Sequence, residues 1–120
     1  MQTKTFKTIM YDYHLALMLA AFGADWRQQG RELPSSYDGP AIRFNVIMEH
    51  ALQALDQQEL DTIKFGYVQR LSAKNASERM GLSLTAYNRI KYHAVKKLGC
   101  QLERDADFMN WYHPGVLYGA

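Results

Sequence analysis

The chain has 120 residues, a formal net charge of +2, 48% hydrophobic and 22% charged residues, and a single cysteine. That length allows one domain with a modest core, and the balance of apolar and charged side chains excludes a disordered chain. One cysteine excludes an internal disulfide framework and a cysteine-based zinc site, and it points to a reducing compartment.

The longest apolar run, residues 15–22, falls far short of the ~20 residues needed to span a bilayer. It also begins too late, and without a cleavage-site context, for a secretory signal. A cytoplasmic protein with no membrane association is expected. Residues 64–97 carry Lys64, Arg70, Lys74, Arg79, Arg89, Lys91, Lys96 and Lys97 against one acid, Glu78. That local balance of +7 leaves −5 for the rest of a chain totalling +2. Such a split makes one surface cationic and able to attract phosphates.

In chain order, residues 1–10 show no clear period and read as a loose arm bearing Lys4 and Lys7. From about Tyr13, the residues Leu15, Met18, Leu19, Phe22 and Trp26 fall on one face of a helix that ends near Gly30. Trp26 reads as a core anchor, and Gly23 as a place where another backbone approaches closely. Residues 30–39 carry Pro, Ser, Asp and Gly and read as a long loop, with Pro40 in the first turn of the next helix. There Phe44, Ile47, Met48, Ala51, Leu52 and Leu55 follow the helical repeat and are expected to face inward, with His50 exposed or satisfied beside them. Asp56 and Glu59 form a capping-box start for a third helix that reaches about Leu71. Leu60, Ile63, Tyr67 and Leu71 are its inward residues. Glu49, Asp56, Glu59 and Asp61 make an acidic ridge.

Residues 72–97 predict a short helix, a turn and a longer basic helix. Ser77 is the small residue a close helix crossing needs, and Gly81 stands where the turn demands positive φ. Ser83 is placed to cap the second helix, which Leu82, Tyr87 and Ile90 pin. These slots predict a helix-turn-helix, whose second helix enters the DNA major groove. The second helix divides into a buried stripe (Tyr87, Ile90, Ala94, Val95, Leu98, Leu102) and an outer face of Thr85, Asn88, Arg89, Tyr92 and Lys96. Arg89 suits guanine and Asn88 adenine, while Lys74, Lys91, Lys96 and Lys97 suit phosphates. Ser83, Thr85 and Tyr92 complete the DNA-binding set.

The segment GLSLTAYNRIKYHAVKKL, residues 81–98, is similar to the end of the region-4 helix-turn-helix of sigma factors, with Asn75-Ala76-Ser77 in place of the usual Glu-Ile-Ala. Residues 15–30, LALMLAAFGADWRQQG, resemble the opening helix of the phage late-gene antiterminator Q family of the phage 21 type. Gly23 and Trp26 match there, and Phe22 replaces a tryptophan. The resemblance implies a phage or prophage transcription regulator that binds duplex DNA near a late promoter and loads onto bacterial RNA polymerase with its sigma factor.

After Leu102 the chain turns aromatic. Phe108, Met109, Trp111, Tyr112, Val116, Leu117 and Tyr118 are expected to dock on this chain, on a second copy or on a partner. The expected fold is all-α: a compact bundle of about five helices containing a helix-turn-helix, with an aromatic tail. Within one domain, 1–120, residues 13–59 supply the N-terminal helices, 60–102 the helix-turn-helix region and 103–120 the tail. The expected function is sequence-specific DNA binding in transcription, with no cofactor or metal. A homodimer is compatible, although no dimerisation heptad stands out. The rival reading is a protein-interaction inhibitor that keeps the helix-turn-helix as scaffold. The chain has no nucleophile elbow, glycine-rich phosphate loop, metal-spaced His/Asp set or paired carboxylates in an apolar context, so no enzyme is expected.

Overall fold

Helix α1 (Thr3–Gln28) is the longest element of the computed structural model, which describes residues 1–118. It is followed by α2 (Ser35–Leu52), α3 (Gln57–Ile63), a π-helical turn (Lys64–Val68), α4 (Ala73–Arg79), α5 (Leu84–Arg104), α6 (Ala106–Trp111) and a 3-10 turn (Val116–Tyr118). No strand occurs among the described residues, so the protein is all-α, with six α-helices. The last two positions of the expected tail, 119–120, lie outside the described residues.

The largest correction concerns α1. Residues 3–10 are helical, and Phe6, Ile9, Met10 and Tyr13 are buried. Their i, i+3, i+4, i+7 spacing is itself a helix signal, so no loose arm exists there. The stripe expected to face inward is split: Leu15 and Leu19 are half-buried against the core, Met18 and Phe22 are exposed, and Trp26 is half-buried away from the core. Trp26 is no core anchor. It stacks on Phe22 at 5.5 Å, carries the Arg31 guanidinium 4.4 Å above its ring and donates to the Glu32 carbonyl.

Gly23 does permit a close approach, but by a side chain rather than a backbone. A Cβ there would lie 2.0 Å from Asp38 Oδ2. Arg27 donates to both oxygens of that buried carboxylate, at 2.7 and 2.9 Å, and to the Leu33 carbonyl. This cluster shortens the expected loop, because α2 already begins at Ser35. Pro40 therefore stands in the second turn of α2, where its missing N–H leaves the Ser36 carbonyl without its intrahelical donor.

From Phe44 onward the expected pattern holds. Phe44, Met48, Ala51 and Leu52 are buried, Ile47 and Leu55 are half-buried, and His50 is exposed. Asp56 and Glu59 close a reciprocal capping box: Asp56 Oδ1 accepts from the Glu59 N–H at 2.9 Å, and Glu59 Oε1 from the Asp56 N–H at 3.0 Å. Glu59 is thus buried rather than part of an exposed ridge. The α-helix expected to reach Leu71 stops at Ile63, and the π-helical turn takes its place. Two residues beyond that turn, Arg70 has a φ of 57°, in the left-handed region.

The tail packs on its own chain. Phe108, Val116 and Leu117 are buried, Trp111 and Tyr112 lie against the same core, and Met109 and Tyr118 remain exposed. Phe108 meets Phe44 edge-to-face at 6.0 Å. Tyr112 donates to Asp12 Oδ2 at 2.6 Å, satisfying a carboxylate that α1 would otherwise bury alone. No helix among the described residues is long and apolar enough to cross a membrane.

Candidate nucleic-acid interface

Local chemistry at 72–87 sets the pose of α5. The Ser72 hydroxyl caps α4 by accepting from the Asn75 N–H at 3.2 Å. Ser77 is buried and donates its own hydroxyl back to the Lys74 carbonyl at 2.8 Å, so it brings no unpaired donor to the crossing. Gly81 adopts φ +67°, and the chain then folds back so that the Leu82 N–H donates to the Ser77 carbonyl at 2.9 Å. Left-handed backbone of this kind ends a helix cheaply only at a residue without a Cβ. The Ser83 hydroxyl accepts from the Ala86 N–H at 3.1 Å and starts α5.

Tyr87 then fixes the rotation of α5. Its ring is wholly buried, and its hydroxyl sits 2.9 Å from where a Cβ on Gly66 would be. Only a glycine in the π-helical turn leaves room for it. With Tyr87, Ala94, Leu98 and Leu102 buried and Ile90 and Val95 half-buried, the opposite face of α5 must point to solvent. Thr85, Asn88, Arg89, Tyr92 and Lys96 all do so, along one row at helical spacing. Among the described residues neither Arg89 nor Lys96 is engaged in an ion pair.

Lys74 is exposed in the first turn of α4. The other two predicted phosphate ligands are placed differently. Lys97 is paired with buried Glu59 at 2.9 Å, and that hydrogen bond raises its pKa. Lys91 is half-buried, its ammonium 5.0 Å from the Tyr67 ring centroid. Burial lowers its pKa, and the nearby charge of Lys7 lowers it further.

That neighbour exposes cations which sequence reasoning left aside. Lys7 and Arg70, with Met10, Tyr11, Gly66 and Tyr67, line a hollow of ≈ 230 Å³. The first turns of α1 also run beside α5, where Met1, Thr3 and Phe6 share a hollow with Tyr92, Val95, Lys96 and Gly99. The signal was the helical repeat of Phe6, Ile9, Met10 and Tyr13, which turns Lys7 from an arm residue into one at a fixed place. On the other flank of α5, His93, Lys96, Lys97 and Arg104 surround a second hollow. Among the described residues no three His, Cys, Asp or Glu side chains converge as a metal site.

Compared with known protein families, with curated proteins and with solved structures, the chain finds no match.

Proposed function

We propose that this protein is a sequence-specific DNA-binding regulator of transcription, in which α4, the turn at Gly81 and α5 act as a helix-turn-helix. The observation that carries this reading is the outer row of α5: Thr85, Asn88, Arg89, Tyr92 and Lys96 are all exposed on one face. The row offers two bidentate base readers, Arg89 and Asn88, together with Lys96 for a phosphate. Lys74 on one side, and Lys7 and Arg70 beside α1, add cations able to follow a phosphate backbone. A capped, glycine-terminated turn holds the row at a fixed angle, as groove readout requires.

Titration of the chain with duplex DNA at several salt concentrations tests this. Affinity is expected to fall linearly on a log–log plot, by about 0.9 decades per decade of salt for each phosphate neutralised. Binding that ignores salt, or an Arg89→Ala variant that still binds its selected site as tightly as the parent, would overturn the reading. The role in antitermination with RNA polymerase follows from the resemblance of residues 15–30 and 81–98. Capture of polymerase with and without promoter DNA tests that part alone. The rival reading drew on the aromatic tail as a capture surface, and the burial of Phe108, Val116 and Leu117 in the chain's own core weighs against it.

A further inference from the structure

Helix α1 carries two apolar faces, and only one of them is used. Phe6, Ile9, Met10, Tyr13 and Ala16 enter the core, whereas Tyr11, Met18 and Phe22 on the opposite side meet solvent and Leu15 and Leu19 are half-buried between the two. Two contacts fix α2 antiparallel beside it: Asn45 Nδ2 donates to the Ala16 carbonyl at 3.2 Å, and Asp38 lies under Gly23. That register sets Ile42 level with Leu19 and Val46 level with Leu15. Because Ala41, Phe44 and Met48 take the inner side of α2, Ile42 and Val46 stand on the outer side of the hairpin. The result is one outer face with Tyr11, Met18, Phe22, Tyr37, Ile42 and Val46 exposed, Met18 by 57% and Val46 by 62%.

We propose that this outer face is the interface of a two-fold symmetric homodimer, with α1 of the two copies packed antiparallel about an axis between Met18 and Leu19. Three observations select a second copy as the occupant.

The first is area. Large side chains span about 150–250 Å² each, so six that are half exposed leave roughly 500 Å² of apolar surface per copy. A specific interface takes about 800 Å² from each partner, a little over half of it apolar, so the face supplies the apolar share of one.

The second is pattern. Antiparallel pairing about that axis sets Met18 of one copy on Leu19 of the other and Leu15 on Phe22. These central apolar positions thereby meet one another, as an isologous contact requires.

The third is charge. Between Tyr11 and Ala24 the only charged residue is Asp12, which is buried against Tyr112, so nothing on the stripe selects a charged partner. The charges at its ends are mixed, Lys4 and Lys7 at one and Asp25, Arg31 and Glu32 at the other, with Arg31 stacked over Trp26.

Sedimentation equilibrium of the full chain tests the proposal, and no DNA is needed, so its outcome is separate from that of the DNA-reading proposal. At tens of micromolar the expected mass is that of two chains, and Met18→Glu is expected to give a monomer with unchanged helicity and a melting temperature that, unlike the parent's, does not vary with protein concentration. A monomeric parent chain, or a dimer that survives Met18→Glu, would overturn it. Should Met18→Glu fail to fold, a cysteine pair decides the question. In a Cys100→Ser background, Met18→Cys is expected to oxidise to a disulfide-linked dimer under native conditions, and Asn110→Cys is not. Equal cross-linking of the two, or none at Met18→Cys, also overturns the proposal.

Discussion

The carboxylate of Asp38 occupies the space that a side chain at Gly23 would need. The two helices can approach this closely because one residue has no Cβ and because Arg27, one turn further along α1, holds the carboxylate with two hydrogen bonds. Glycine, aspartate and arginine thus act together as the clasp between α1 and α2.

Gly23→Ala is expected to destabilise the protein. The new Cβ overlaps Asp38 Oδ2, so either the carboxylate leaves Arg27 or the helices separate. Overpacking of this kind costs about 1–3 kcal/mol, which would appear as a lower urea midpoint at unchanged slope. An unshifted midpoint would mean that α2 can slide without loss.

The same clasp predicts a pH dependence. The hydrogen bonds from Arg27 hold the Asp38 carboxyl below the ordinary carboxylate range, against the opposing effect of its burial. A depressed folded-state pKa contributes stability that is fully present above the unfolded value, about 3.9, and is lost as pH falls through the folded value. The stability gap between the parent and Asp38→Asn should therefore be constant near neutrality and shrink below about pH 4. A gap that widens on acidification would contradict this.

Arg89→Ala and Lys97→Ala should separate binding from stability. Arg89 is exposed, with no ion-pair partner among the described residues, so its loss should leave the melting temperature unchanged. It should weaken a specific duplex by about 1–3 kcal/mol, or roughly 5- to 150-fold. Lys97 is the ion-pair partner of buried Glu59, so Lys97→Ala should lower the urea midpoint before it alters DNA affinity. Equal effects of both variants on DNA binding would show that Lys97 leaves Glu59 for a phosphate.

Tyr112→Phe removes the hydroxyl that serves buried Asp12, at a cost of about 1.5–3 kcal/mol for a hydrogen bond to a charged group. Phe108→Ala should cost more, about 3–5 kcal/mol, because it empties a fully buried aromatic site. Urea denaturation followed by circular dichroism measures both. Phe108→Ala at parental stability would show that the tail is held elsewhere.

What could be read from sequence was local. The Asp56–Glu59 capping box, the Ser83 cap, the positive φ at Gly81 and the two faces of α5 each follow from neighbouring residues, and each is found. The stripe of α2 was legible because Phe44, Ile47, Met48, Ala51, Leu52 and Leu55 repeat at helical spacing over three turns, which Ile42 and Val46 on the outer side do not. Helix α1 was misread because it has two apolar stripes, and periodicity alone cannot rank Phe6–Ile9–Tyr13 above Leu15–Met18–Phe22. Residues 35–39, SSYDG, read as a turn by composition, but Arg27 draws Asp38 into helix from eleven positions away. The exposure of Phe22 and the burial of Asp12 depend on segments distant in the chain, which no window of residues contains.

The hydrogen bond between Tyr112 and Asp12 spans 100 positions and sets an order of events at the ribosome. Synthesis at about 5–20 residues per second puts those two groups roughly 5–20 s apart. For that interval α1 exists without α6, and its Asp12 carboxylate lacks the Tyr112 hydroxyl. The helices α1 and α2 can pair first, and the buried Asp12 gains its hydrogen bond only after the segment carrying Tyr112 has emerged.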